Sequence, residues 1–185
     1  GKSPAEAKRK LKSEPLFCDL FAEYLERHSK PKKKTWTDDL DNYKKHVEKQ
    51  FSKKKLSEIN RATVSLLHSN ITTKSGPIAA NRILALISSV FGWAISAGLW
   101  ENNPAIGIRR NKEKSRDRFI QSDELPRFFQ ALSKEPNETI RDYVLISLLT
   151  GARRSNVCSM KWQDINFERA EWRIEETKND TPQTV

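Results

Sequence analysis

The stretch "LLTGARRSNVCSMKWQDI", residues 148–165, decides how the second half of the chain folds. Its apolar start ends at Thr150-Gly151, a turn signal, and Arg153 and Arg154 follow at once. Arginine keeps its charge in proteins, and its planar fork of donors matches the geometry of phosphate. The stretch therefore indicates a helix that leaves the core and a candidate anion site beyond it. A charged turn that is merely solvated is the alternative.

The positive charge of the chain is concentrated in its first part. The formal net charge is +10, and residues 1–115 contain 23 Lys and Arg against 12 Asp and Glu, whereas residues 116–185 contain 11 against 12. With 36% hydrophobic residues, five Trp and eight Phe, the chain is globular and long enough for one or two domains. The basic part favours a polyanionic partner, either nucleic acid or an acidic membrane surface, with plain solubility as the alternative.

Four amphipathic segments with short polar connections predict a helical bundle over residues 15–101. The first helix is predicted to end before Pro31, and the third to begin at Asn60 as its N-cap. The fourth is predicted to open at Gly76-Pro77 and to end at Gly98. The apolar residues that mark the first three helices are Leu16, Phe17, Leu20, Phe21, Tyr24 and Leu25, then Trp36, Leu40, Tyr43, Val47 and Phe51, then Val64, Leu67 and Ile71.

The fourth segment carries no charge over residues 83–100, which reaches the length of a membrane span. Ser88, Gly92 and Ser96 form a small-residue stripe where another helix could approach closely, so a buried central helix is favoured. The charged start of the chain is not a secretory signal. Cys18 and Cys158 stand far apart, so we expect neither a disulfide framework nor a metal site, and a cytoplasmic location.

A change of composition suggests where the domains meet. Residues 1–14 are predicted to form a linker helix, and residues 102–118, with Pro, Gly and many charges but no apolar periodicity, an interdomain linker. Residues 119–185 are predicted to form a mixed α and β domain. Its local signals are Ser122 and Asn137 as N-caps, Gly151 as a helix end, a short helix over Arg154–Met160, and turns near Arg169 and Asp180 between strands.

Three lysine clusters lie in the connections and on the exposed faces of the predicted bundle. Lysines at helix ends can reach phosphates on both sides of a groove, which favours binding to double-stranded DNA with little sequence preference. Any single cluster could equally be a solvated turn. The predicted DNA contacts are Lys32, Lys33, Lys34, Lys44, Lys45, Lys53, Lys54, Lys55 and Arg82.

The run of residues 148–165 resembles the first conserved block of the tyrosine recombinases, the phage integrase family. That block has an apolar helix, Thr-Gly-x-Arg, a short helix and then Trp-x-Asp-Ile before a strand. Residues 81–108, "NRILALISSVFGWAISAGLWENNPAIGI", resemble the last helix of that family's core-binding domain and its Asn-Pro exit. The resemblance covers roughly residues 15–185. It implies a mainly α protein, with a SAM-like core-binding bundle followed by the first part of an α+β catalytic domain with a small β-hairpin.

The resemblance also implies roles for particular residues. Arg153 matches the first catalytic arginine, which clamps the scissile phosphate, and Lys178 matches the β-hairpin lysine that protonates the leaving 5′-oxygen. Arg154 matches no catalytic position, and Asn156 stands where the family usually has a glutamate, which leaves the partner that orients Arg153 open. The family uses fixed cations, so no cofactor and no metal are expected, and it assembles as tetramers on DNA.

The family's second block, His-x-x-Arg and the nucleophilic tyrosine, is not found in this sequence. The three tyrosines, Tyr24, Tyr43 and Tyr143, lie in apolar helical patterns and are predicted to be packing residues. We therefore expect these 185 residues alone not to cleave DNA and to be an excerpt of a longer recombinase. Two other classes remain as alternatives: a non-catalytic DNA-binding protein, such as a repressor or an architectural factor, and a membrane-surface protein.

Overall fold

A computed structural model describes residues 14–115, 117–175 and 181–185. The chain divides into two compact units, Gly1–Ser115 and Arg116–Val185. The linker helix predicted for residues 1–14 lies outside the described residues, apart from Glu14. The domain limits proposed from the sequence stay a prediction.

The described residues of the first unit form a bundle of four helices. Helix α1 starts with Phe17–Tyr24, continues as a π-helical segment at Leu25–Ser29 and ends with Lys30–Lys32; α2 comprises Trp36–Asn42, a π-helical segment at Tyr43–Val47 and Glu48–Phe51; α3 is Arg61–Ser75; and α4 is Pro77–Ser96. A 3-10 turn at Leu56–Glu58 joins α2 to α3. Asn60 caps α3 as predicted, since its side chain accepts a hydrogen bond from the Thr63 backbone N–H at 3.0 Å.

Helix α1 does not end before Pro31, and this prediction was wrong. In an α-helix, a proline ring clashes with the carbonyl four residues earlier and lacks the N–H that would bond to it. Here the segment Leu25–Ser29 is wound as a π-helix, and the Lys30 N–H donates to the Leu25 carbonyl five residues back. The altered winding lets the chain pass Pro31 before it leaves the helix after Lys32.

Aromatic rings from three helices form the centre of the bundle. Phe17 is 1% exposed, and its ring lies 5.9 Å from that of Phe51 and 5.7 Å from that of Phe91, measured between centroids. Tyr43 stacks on Phe21 at 3.9 Å with an interplanar angle of 11°. Rings packed this way bury large apolar areas and add specific edge and offset contacts. Helices α1, α2 and α4 therefore share one core.

Helix α4 is the central helix of the bundle. Within the described ranges it is long and apolar enough to cross a membrane, but half of its most apolar window is buried inside the fold. On its small-residue stripe, no described atom other than the helix backbone and the adjacent residues lies within 4 Å of a Cβ atom built on Gly92. At Ser88 the neighbour is a loop, where the Asn103 side-chain amide donates to the Ser88 carbonyl at 3.0 Å.

Residues 103–113, called the strap below, are tied to the bundle by hydrogen bonds. The Asn81 side chain, 5% exposed, donates to the Asn111 carbonyl at 2.9 Å and accepts from the Asn111 N–H at 2.9 Å, as a neighbouring strand would. It also donates to the Glu113 carboxylate at 2.7 Å, and the Asn111 side chain donates to the Thr72 hydroxyl at 2.8 Å. Much of the predicted linker is thus held against α3 and α4.

The second unit contains three helices and a small antiparallel sheet. Helix α5 is Leu125–Ser133, α6 is Glu138–Thr150 and α7 is Arg154–Cys158, and a 3-10 turn follows at Trp162–Asp164. Strand β1 is Ile165–Asn166, β2 is Glu171–Ile174 and β3 is Gln183–Thr184. The strands lie in the order β1-β2-β3. Ile165 pairs with Trp172, and Ile174 pairs with Gln183. The core of this unit is formed by Val157, Trp172 and Ile174.

Most local signals predicted for the second unit are confirmed. The Asn137 side chain accepts from the Ile140 N–H at 3.2 Å, Gly151 ends α6 in the left-handed region with φ 62°, and the turn near Arg169 joins β1 to β2. Ser122 does not cap α5, because a turn precedes that helix and the Glu124 carboxylate accepts from the Gln121 N–H instead. The turn near Asp180 lies outside the described residues.

The strap predicts where a protease first cuts the chain. We expect limited trypsin digestion to cut after Lys114 before it cuts after Arg109 or Arg110, because the Asn81 amide holds that segment to the bundle. Asn81→Ala should expose Arg109 and Arg110 to early cutting, and mass spectrometry of the first fragments measures the order. Asn70→Ala, at an exposed position of α3, is the control and should leave the order unchanged.

Candidate nucleic-acid interface and phosphate-binding arginine

Two of the predicted lysine clusters meet in one groove. Lys44 and Lys53, both exposed, line it together with Lys49 and Lys54, and Glu48 is the acid among its lining residues. The turn that carries this groove is tied to the start of α1, since the Lys54 carbonyl accepts from the Phe17 N–H at 2.9 Å. This basic groove, lined by Lys44, Lys49, Lys53 and Lys54, is a site with excess positive charge on a fixed backbone.

Lys33 differs from the other predicted contacts, because its charge is used inside the bundle. Its ammonium donates to Asp39 at 2.7 Å and to the Tyr24 hydroxyl at 2.8 Å, and the side chains of Lys33 and Asp39 are only 33% and 16% exposed. The same Asp39 oxygen accepts from Ser29 at 2.7 Å. Lys32 and Lys34, its neighbours, are exposed. The structure therefore gives Lys33 an ion pair within the bundle, and its predicted DNA contact stays a prediction.

This polar cluster changes the acidity of its members. Burial alone would lower the pKa of Lys33, but the hydrogen bonds to Asp39 and Tyr24 together outweigh it and the pKa is raised above the ordinary 10.5. Burial raises the pKa of Tyr24 as well. Burial and then the charge of Lys32 lower the pKa of His28. The cluster thus joins the end of α1 to α2 with Lys33 held in its charged form.

Arg82 lies in a second groove, away from the basic groove's lysines. It shares that groove with Lys33 and with three carboxylates, those of Asp38, Asp39 and Asp41. Opposite charges in one groove weaken its attraction for a polyanion. Arg82 is exposed, but its surroundings are electrically mixed.

A third groove combines two arginines that sequence reasoning did not pair. Arg61, at the start of α3, and Arg109, on the strap, line it together with His68, Asn111 and hydroxyl-bearing residues of α3. Among the described residues, no Asp or Glu belongs to its lining. The two arginines stand far apart in the sequence and join only because the strap folds back on α3. The signal that could have found them is the unpaired Arg109-Arg110 dipeptide inside the predicted linker.

Arg153 occupies the turn between α6 and α7. The Gly151 N–H donates to the Ser147 carbonyl at 3.0 Å, and the Ala152 N–H donates to the Thr150 hydroxyl at 3.2 Å, so the turn is closed from both sides. Arg153 itself has extended backbone angles and stands at the N-cap position of α7. Its side chain is exposed and, in the described ranges, forms no ion pair. The turn thus presents a charged donor fork with a defined backbone.

Asn156 is buried under this turn. It is 7% exposed, its N–H donates to the Arg153 carbonyl at 2.9 Å, and its side-chain oxygen accepts from the Ser155 hydroxyl at 3.4 Å. The backbone N–H of Asn156 therefore supports the backbone around Arg153. The Asn156 side chain, being neutral, supplies no charge to the Arg153 guanidinium. Arg154 is exposed as well, and the predicted Lys178 lies outside the described residues.

The tyrosines of the chain are packing residues, as predicted. Tyr24 is fully buried, Tyr43 is 6% exposed and Tyr143 packs against the core of the second unit. Burial raises the pKa of Tyr43 to about 12, which keeps its phenol neutral. Among the described residues, His, Cys, Asp and Glu side chains form no group that could hold a metal ion.

Two family descriptions match the two units. Residues 17–111 match the phage integrase central domain, and residues 118–185 match the phage integrase family. The chain belongs to the phage integrase family. The family predicted from residues 148–165 is confirmed, and Arg153 stands within the matched range of the second unit.

Sequence relatives agree with this assignment. A tyrosine recombinase of Thermosipho africanus (strain TCF52B) is 28% identical over 157 residues, which cover 82% of this integrase-family chain and 54% of that protein. An integrase of Enterobacteria phage 434 is 27% identical over 110 residues, which cover 60% of this chain and 31% of that protein. The chain thus spans about half the length of the first relative and about a third of the second.

Solved structures confirm the fold class. A lambda integrase dimer bound to a COC′ core site is similar over 100% of this chain and 52% of that chain, with a TM-score of 0.79 and 21% sequence identity. A lambda integrase tetramer bound to a Holliday junction gives a TM-score of 0.81 at 19% identity. The helical bundle followed by helices and a small antiparallel sheet is therefore the fold of these integrases.

Stability measurements can test the structural role of Lys33. We expect Lys33→Met to lower the free energy of unfolding by about 1–3 kcal/mol, because Asp39 stays behind with part of its hydrogen bonding removed. Lys32→Met and Lys34→Met, at exposed neighbouring positions, should change it little. Urea unfolding followed by circular dichroism measures all three, and equal effects at the three positions would contradict the assignment.

The pH dependence of this pair has a defined sign. Because the pKa of Lys33 is raised in the folded state, its contribution is fully present below the ordinary pKa of 10.5 and is lost as the pH rises through the raised value. The difference in stability between the wild type and Lys33→Met should therefore shrink in that alkaline range.

Proposed function

We propose that this chain is the DNA-binding and phosphate-clamping part of a tyrosine site-specific recombinase, such as the integrase of a phage, prophage or genomic island. The observation that carries the proposal is Arg153, an exposed arginine without an acidic partner in the described ranges, held at the N-cap of α7 within a matched integrase domain. The whole protein would cut and rejoin DNA through a 3′-phosphotyrosyl intermediate. It would act in the cytoplasm and self-associate on DNA as a tetramer.

In this proposal the bundle supplies most of the affinity for double-stranded DNA. The basic groove presents Lys44, Lys49, Lys53 and Lys54 on a backbone tied to α1. Lysines that neutralise backbone phosphates release condensed counterions, and this release drives binding without reading the base sequence. Lys32, Lys34, Lys45 and Lys55 extend the proposed surface, whereas Lys33 is left out because Asp39 already pairs with it.

The catalytic step assigned to Arg153 follows from the chemistry of phosphoryl transfer. A tyrosine oxygen attacks the scissile phosphorus, the bond to the 5′-oxygen breaks, and negative charge spreads over the non-bridging oxygens. A fixed guanidinium aimed at those oxygens stabilises this charge. In the family pattern Lys178 would give a proton to the leaving 5′-oxygen. Because Tyr24, Tyr43 and Tyr143 are packing residues, these 185 residues alone would bind DNA without cleaving it.

Binding measurements test the role of the lysines. We expect the 185-residue chain to bind a mixed-sequence DNA duplex with an affinity that falls as salt rises, because counterions are released. Lys44→Gln with Lys53→Gln should make the slope of log affinity against log salt shallower by about 0.9 for each DNA phosphate that is no longer neutralised. Fluorescence anisotropy at several salt concentrations measures the slope.

The control for this experiment removes the same charge elsewhere. Lys134→Gln with Lys161→Gln, two exposed lysines of the second unit, lowers the net charge equally and should change the slope less. Equal slopes for the two double variants would show that net charge, and not the basic groove, sets the affinity. A flat slope for the wild type would rule out the electrostatic account altogether.

The role of Arg153 can be tested in a protein that carries a nucleophilic tyrosine. A chimera that joins residues 1–185 to the C-terminal part of a tyrosine-bearing relative would trap covalent adducts on a nicked suicide substrate. Arg153→Ala should abolish adduct formation while leaving DNA binding nearly unchanged, since the transition-state charge is no longer compensated. Arg154→Ala is the matched control and should be much milder.

Two further results bear on the same chimera. Lys178→Ala should slow adduct formation and be partly rescued by a sulfur leaving atom, which needs little protonation. An Arg153→Ala chimera that traps adducts at the parent rate would overturn the catalytic assignment. Binding of DNA without adducts by the chimera whose residues 1–185 are unchanged would favour a non-catalytic DNA-binding protein.

A further inference from the structure

The groove between α3 and the strap is built from both of these elements, and its Arg61 is positioned by packing. A Cβ atom built on Gly107, whose φ is 79°, would lie 3.2 Å from Nη2 and 3.3 Å from Cζ of Arg61. The guanidinium of Arg61 therefore lies directly against the bare glycine backbone. Glycine suits this place because it tolerates the left-handed region and leaves room for the guanidinium.

Within the part of the chain that the structure describes, no acidic side chain neutralises the charge of this groove. Arg61 and Arg109 are both exposed. Within the described ranges, neither side chain forms a hydrogen bond or an ion pair. The basic groove and the groove of Arg82 each contain at least one carboxylate, but the lining of this one contains none. Ser65 and Ser69 of α3 add hydroxyl groups to the same lining. Two guanidinium groups and nearby hydroxyls are donors suited to a phosphate.

We propose that the groove between α3 and the strap binds a phosphate of the DNA backbone and that this contact fastens the strap to the bundle. This inference rests on the proposed function. Arg61 belongs to α3 and Arg109 to the strap, so one phosphate between them joins the two elements by charge-assisted hydrogen bonds. The Asn81 and Asn111 hydrogen bonds already place the strap there without DNA. Bound DNA then adds a second attachment.

The coupling works in both directions. If DNA binds more tightly when the strap is docked, the docked strap must be more populated when DNA is bound, by the same factor. The strap is the segment through which the chain leaves the bundle, so DNA binding would reduce the freedom of the chain at that exit. Arg61 and Arg109 would thus couple DNA binding to docking of the strap, whereas the lysines would contribute only general electrostatic affinity for DNA.

The test uses the full 185-residue chain and a mixed-sequence DNA duplex. For Arg61→Gln with Arg109→Gln, we expect the salt slope to become shallower by about 0.9, the value for a single phosphate. The affinity losses of the two single variants should not add up to that of the double variant, because both side chains hold the same phosphate. Arg27→Gln is the control, since Arg27 already pairs with Glu23 at 3.1 Å.

Hydrogen exchange supplies the second readout. In the wild type, DNA should slow exchange of the Asn111 amide, which donates to Asn81, by about 5-fold or more, and in the double variant this slowing should disappear. Circular dichroism confirms folding of each variant. If Arg61→Gln does not fold, Arg61→Lys with Arg109→Gln is tested by hydrogen exchange alone, because lysine keeps the charge that sets the salt slope but lacks the planar fork.

Each outcome decides one of the two proposals. Wild-type chain that shows no salt-dependent DNA binding contradicts the proposed function itself. Binding that keeps its slope and its strap protection in the double variant overturns the phosphate site and leaves the proposed function standing. A slope change of about 1.8, twice the value for a single phosphate, shows that the two arginines bind separate phosphates and overturns the shared site. Protection of the strap by inorganic phosphate alone, with DNA binding unaffected by the variants, shows a free-anion site and overturns it too.

Discussion

The ring of Phe17 packs against rings from every other helix of the aromatic core, and the rest of the bundle depends on this contact. It reaches Tyr43 and Phe51 of α2 and Phe91 of α4 at centroid distances between 5.7 and 6.2 Å. The backbone N–H of the same residue donates to the Lys54 carbonyl. One residue thus joins the apolar core to the turn that carries the basic groove. Loss of this packing would release the groove's backbone as well as the helices.

Features set by neighbouring residues were predictable, because their physics is local. The Asn60 and Asn137 caps and the Gly151 helix end each need only a side chain and the next few backbone groups. The passage of α1 through Pro31 was not predictable from the sequence, since a change of helical winding has no simple signature in composition. The contacts of the strap were not predictable either, because Asn81 and Asn111 are 30 positions apart in the sequence.

The same distinction holds for the candidate site. Arg153 was found because its motif is contiguous, and its surroundings are built by residues within the same short run. Lys33 was assigned to the surface from the density of lysines alone, yet its partner Asp39 lies only six positions away and is brought to it by the turn into α2. A lysine cluster therefore indicates charge but not which of its members is free. Arg61 and Arg109 were left unpaired, since only the folded strap brings them together.

The roles proposed for the lysines of the basic groove and for Arg153 make different physical demands. Counterion release asks only that a lysine be exposed and close to a phosphate, so the basic groove can tolerate mobile side chains. The transition-state role proposed for Arg153 needs a fixed position, and the backbone around Arg153 is held in place. The Arg153 carbonyl accepts from the Val157 N–H at 3.1 Å, and Val157 is buried with Trp172 and Ile174 of β2. The small sheet therefore holds the backbone of Arg153 in place through α7, while its guanidinium stays open to a phosphate.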